Sequence, residues 1–198
     1  MAIIGARISL LAFGIVLLLL NQKTIREVVK YYTKPKENTL TSPFKKINWD
    51  NSIGVLLVSW GFSISIVAIL PFTDNFADVN VLKEVTPLLT LIMILYRVLF
   101  EEVLFRLIPW GWMYWLRSMD KTGVMQYVNI FVALLAALIF GLLHIGNYTN
   151  PTLTNWLSLS SQVVGGLLLW YLTEKEGILA AISIHYVFNM VVLWQFLF

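Results

Sequence analysis

Glu101, Glu102 and Arg106 follow a run from Leu88 to Leu99 that is almost entirely apolar. Taking carboxylates and a guanidinium out of water is costly, so such groups within a membrane-length apolar run are read by default as functional. Arg97 lies four residues before Glu101 and Arg106 four after Glu102, which puts each pair on adjacent helical turns. Ion pairing at that spacing balances the charge but does not explain why the segment carries charge at all. The chain has two histidines, His144 and His185, both in other apolar segments, and Asn189 follows His185 by one turn. Carboxylates and imidazoles exchange protons and a carboxamide donates hydrogen bonds. The set therefore suits proton-transfer chemistry, whether catalytic or coupled to transport.

The elements that would position these groups follow from hydropathy. Of 198 residues, 59% are hydrophobic and 13% charged, far from the proportions of a soluble domain. The expectation is an all-α fold, a single polytopic transmembrane helical bundle of about six spans. Residues 3–20 form the first span; no small-residue cleavage site follows Leu20, so the segment is kept as a span and not read as a signal peptide. A basic loop at 21–51 belongs in the cytoplasm, and a second span covers 52–72. A third helix starts at Thr86-Pro87, a hydroxyl before a first-turn proline, and reaches an aromatic belt at Trp110, Trp112, Tyr114 and Trp115; Pro109 can kink it. After a turn at 118–123 come segments at 126–145, 153–172 and 178–197, the last two separated by a turn at 173–177. The location implied is a multi-pass protein of the bacterial plasma membrane, in contact with the lipid bilayer, its site reached from the cytoplasmic side. The absence of cysteine excludes disulfides, thiolate zinc sites and a cysteine nucleophile. No basic and aromatic interleaving points to nucleic acid.

Depth tests whether the polar groups can meet. Glu101 lies 20 residues before position 121 and His144 lies 23 after it, so on antiparallel helices the two differ by only about 5 Å in height. Glu101 is nine residues in from Trp110, and His185 eight in from Gly177. All three groups fall at one level, an arrangement expected of a site and not of scattered core polar residues. Gly165-Gly166 lies at a similar level and is read as a close helix contact. Glu101 and Glu102, about 100° apart on a helix, are not expected to face the same water.

Glu-Glu-x-x-x-Arg at 101–106, Phe-x-x-x-His at 140–144 and His-x-x-x-Asn at 185–189 together resemble the CAAX-processing and bacteriocin-processing (CPBP, Abi) intramembrane proteases. The resemblance covers a catalytic core of about residues 86–195. It implies an endopeptidase acting on a membrane-associated peptide or protein, with Glu101 as general base, His144 sharing the water or binding metal, His185 and Asn189 steadying an oxyanion, and Glu102 with Arg106 in support. Two readings of the cofactor stay open. His144 and His185 with Glu101 or Glu102 could bind zinc, or glutamate and histidine could activate water without metal. Two other functions share these residues: a non-catalytic self-immunity or partner-binding protein on the same scaffold, and a proton-coupled transporter, although no repeated halves are visible.

Overall fold

The computed structural model describes residues 2–33, 47–69, 86–120, 122–147 and 151–197, and among them the chain is all-α. Eight α-helices are described: α1 (Ala2–Leu20), α2 (Gln22–Thr33), α3 (Trp49–Ile69), α4 (Pro87–Glu102), α5 (Ile108–Met119), α6 (Met125–Leu143), α7 (Leu153–Glu176) and α8 (Ile178–Leu197). A π-turn at Val103–Leu107 joins α4 to α5, and a 3₁₀ turn at His144–Asn147 follows α6.

Local chemistry sets the helix ends near the site. Thr86 is extended, with φ −62° and ψ 146°, and Pro87 opens α4, where its missing N–H costs nothing. Thr152 and Asn155 form a reciprocal capping box at the start of α7. Gly177, at φ 92°, ends α7 in a backbone conformation that other residues rarely adopt. Helix α7 therefore continues through the expected turn at 173–177 as far as Glu176. Between α5 and α6, the Asp120 carboxylate accepts from the Thr122 hydroxyl and from the backbone N–H of Thr122 and Met125. The Thr122 hydroxyl bond foremost, with these backbone bonds, holds that carboxyl below its ordinary range.

The six-span bundle, its intramembrane site and the multi-pass plasma-membrane location do not hold. Among the described residues one helix, Met125–Gly146, is long and apolar enough to cross a membrane; a second is obtained only if Ile4–Leu20 and Gln22–Thr33, bent by 69° at their junction, count as one span. The other apolar sequence is divided differently. Helix α4 has 16 residues and ends on Glu101 and Glu102. Helix α7 is longer but interrupts its apolar residues with Asn155, Ser158, Ser160, Ser161 and Gln162. The stretch 21–51 is not simply a loop, because α2 occupies Gln22–Thr33.

Small residues and buried polar pairs join the helices. A Cβ on Gly61 would stand 2.9 Å from the Gly14 carbonyl oxygen, and one on Gly14 would stand 2.8 Å from that of Gly61, so α1 and α3 cross backbone to backbone. Helix α2 docks through its tyrosines: Tyr32 donates to the Leu167 carbonyl at 2.7 Å, and the Tyr31 hydroxyl accepts from Asn129 Nδ2 at 3.1 Å. Arg117 on α5 makes a two-pronged pair with Glu174 on α7, Nη1 to Oε2 at 3.2 Å and Nη2 to Oε1 at 2.9 Å, and both residues are buried. Glu174→Gln keeps the volume and one acceptor but loses the charge, and is expected to lower stability by ~2 kcal/mol. Denaturant unfolding of the purified variant measures this.

Candidate active site

The π-turn is the local feature that builds the site. Such turns widen an α-helix by one residue and are frequent at functional positions, and this one starts directly after Glu102 and contains Arg106. Across it Arg106 Nη1 lies 3.2 Å from Glu102 Oε1, with both side chains almost fully buried. The guanidinium rests over the Phe140 ring at 4.4 Å from its centroid, a cation–π contact strengthened by the exclusion of water. Phe140 also meets Phe105 edge-on at 5.6 Å, His185 at 5.8 Å and His144 at 4.4 Å. It thus forms a floor shared by three motif residues, Arg106, His144 and His185.

Space for the guanidinium comes from α7. A Cβ on Gly166 would stand 3.0 Å from Cα and Cβ of Ala137 and 3.5 Å from Arg106 Nη2, whereas one on Gly165 would meet nothing within 4 Å. The close helix contact expected of the glycine pair belongs to Gly166 alone. Gly166→Ala is expected to cost ~1–3 kcal/mol by overpacking. Gly165→Ala is expected to be neutral or stabilising, since glycine in a helix interior is the less favourable residue by ~0.5–1 kcal/mol. Thermal melting of both variants checks the asymmetry.

His185 comes in from α8 and lies between the two carboxylates. Its Nδ1 donates to Glu102 Oε1 at 2.7 Å, and its Nε2 stands 3.5 Å from Glu101 Oε2. The two glutamates therefore reach opposite edges of one imidazole. Their separation of about 100° on the helix is spanned by the width of the ring, each carboxylate meeting a different nitrogen. Glu101 Oε1 accepts from Arg97 Nε at 2.9 Å. Glu101 Oε2 is buried and has no hydrogen-bond partner among the described residues, and such an orphaned acceptor calls for an explanation in function.

His144 is held differently. Its Nδ1 donates to the Phe140 carbonyl at 2.7 Å, which leaves Nε2 as the acceptor of a neutral ring. Burial holds this imidazole below its ordinary range, against the opposing pull of the Phe140 carbonyl and of Glu101. Asn189, half-buried one turn beyond His185, makes no side-chain hydrogen bond among the described residues, which leaves its amide available to a ligand. Of the expected residues, Glu101, His185, Glu102 and Arg106 are linked in that order, while His144 joins through Phe140.

The zinc set fits poorly. Among the described residues no three side chains of His, Cys, Asp or Glu are grouped so as to hold a metal ion. His185 gives Nδ1 to Glu102 and His144 gives Nδ1 to a backbone carbonyl, bonds that zinc-ligating imidazoles also make.

Residues 83–191, more than half of the chain, match the sequence model of the family described as type II CAAX prenyl endopeptidase Rce1-like. The chain belongs to this family. No curated protein and no solved structure matches it significantly. The matched region of the CAAX-protease family takes in α4 to α8, apart from the end of α8, and with it every residue of the buried cluster. A Glu/His cluster inside such a domain is consistent with a hydrolase active site and supports a protease function.

The feature that sequence reasoning missed is Phe140 as platform, whereas the Arg97–Glu101 pair forms as its spacing indicated. For Phe140 the signal was present, since Phe-x-x-x-His places both rings on one helix face.

Proposed function

We propose that the protein is an endopeptidase of the CAAX-processing type, cutting a membrane-associated peptide or protein near a lipidated C-terminus by water activated at Glu101. The observation that carries this reading is the buried, unpartnered Glu101 Oε2 beside His185 Nε2. Water held between them gives a proton to Glu101 as its oxygen attacks the scissile carbonyl carbon, and the carbonyl π electrons move to oxygen. Asn189 donates to the oxyanion that forms. His185 can donate from Nε2 as well, provided the ring carries both protons while Nδ1 remains bonded to Glu102. The proton on Glu101 then passes to the leaving nitrogen as the C–N bond breaks. His144, with Nε2 as acceptor, orients the water from the other side. Glu102 and Arg106 hold His185 and touch no reacting atom.

Large apolar side chains exposed along α4, among them Leu88, Ile92, Tyr96 and Phe100, support a substrate or surface of lipid character. The test is cleavage of an S-farnesylated peptide ending in a CAAX tetrapeptide by the purified protein, compared with the unlipidated peptide and with a bacteriocin precursor peptide. Preference for the farnesylated peptide supports the proposal. Cleavage of the bacteriocin precursor alone replaces the substrate, and cleavage of none removes the proposal.

A further inference from the structure

The two glutamates each have an arginine four residues away, on opposite sides in sequence, and the two pairs lie in different surroundings. Arg106 and Glu102 are buried together, whereas the Arg97 side chain is 46% exposed and the Glu101 side chain it meets only 11%. The Arg97 guanidinium thus grips a buried carboxylate from the rim. A Glu carboxylate turns easily about its last torsion, whose minimum is broad and two-fold, so without a partner on one oxygen neither oxygen has a fixed direction. Arg97 Nε holds Oε1 at 2.9 Å, and the other oxygen, Oε2, is the one near His185 Nε2. With the arginine half exposed, water can take over much of what the pair contributes to stability, whereas misplacing a reacting group by about 1 Å can cost ~10² in rate.

We propose that Arg97 is a positioning residue: by holding Glu101 Oε1 it fixes Oε2 toward His185 Nε2, where the attacking water is met. The inference rests on Glu101 being the base. Positioning by a rim arginine should act on the chemical step and leave substrate binding alone.

The experiment measures kcat, KM and melting temperature for wild type, Arg97→Ala, Arg97→Gln, Arg97→Lys and Glu101→Gln, with the S-farnesylated CAAX peptide as probe. Arg97→Ala is expected to lower kcat ~10-fold with KM within about twofold and an unchanged melting temperature. Arg97→Lys should fall between wild type and alanine, because an ammonium lacks the planar fork. Because the side chain is accessible, millimolar guanidinium chloride should restore part of the alanine variant's rate, and equimolar urea should not. Should Arg97→Ala melt early, Arg97→Gln carries the same comparison. Full kcat in a folded Arg97 variant while Glu101→Gln is inactive overturns the inference and leaves the reading of Glu101 intact. A loss confined to KM, or equal rescue by urea, also overturns it. An active Glu101→Gln overturns the assignment of the base and this inference with it, and a wild-type protein that leaves the peptide intact overturns both.

Discussion

Glu101→Gln is expected to lower single-turnover peptide cleavage by ~10² to 10⁴, the range a general base supplies, in a protein that folds and binds substrate as before. The amide keeps the shape of the side chain and can still accept from Arg97 Nε through its oxygen, so the contact at 2.9 Å survives in form. What is lost is the ability of the second oxygen to take a proton. Glu102→Gln has a different consequence. Glu102 Oε1 is shared by Arg106 and His185 in a fully buried setting, so removing its charge leaves a buried guanidinium without its counter-ion, a strongly unfavourable state. The glutamine variant of Glu102 should therefore melt well below wild type and lose less rate per folded molecule. Single-turnover kinetics with melting temperatures on both proteins separates the two roles. If Glu102→Gln is the well-folded inactive variant, the roles are reversed.

What could be read from the sequence was whatever depends on near neighbours along the chain. Thr86-Pro87 opens α4, the last helix runs from Ile178 to Leu197, and the i, i+4 pairs Arg97–Glu101 and Glu102–Arg106 form as spaced, because each is decided within a turn or two. The meeting of Glu101 with His185 followed from helical rise alone. Rise says nothing about rotation: the roughly 100° between Glu101 and Glu102 is spanned by one imidazole, whose Nε2 faces the first carboxylate and Nδ1 the second. The π-turn that sets Arg106 under Glu102 has no sequence signature, since Val103 to Leu107 would continue an α-helix equally well. Spacing also says nothing of Arg117 and Glu174, which lie 57 residues apart, the second on a stretch read as a turn. Hydropathy also overcounted the spans. A run of apolar residues does not report where a helix ends or bends, and α4, at 16 residues, stops on its charges.

Arg106→Ala is expected to be the most destabilising single change in the cluster. Removing one partner of a buried ion pair typically costs ~3–5 kcal/mol, because the charge left behind has lost both its water and its counter-ion. Here Glu102 would keep only the His185 bond, and Phe140 would lose the cation stacked on it. Arg106→Lys restores the charge but not the function of the group. An ammonium has no flat face to lie on Phe140 at 4.4 Å, and a more strongly hydrated point charge is harder to bury than a delocalised one. The lysine variant should therefore sit between wild type and alanine in unfolding free energy, nearer to alanine. Because Arg106 acts through Glu102 and His185, the rate per folded molecule should fall less in Arg106→Lys than in Glu101→Gln. Denaturant unfolding with single-turnover cleavage on the same preparations tests both statements. Complete loss of cleavage in an Arg106→Lys protein of wild-type stability would instead mean that the guanidinium touches the substrate.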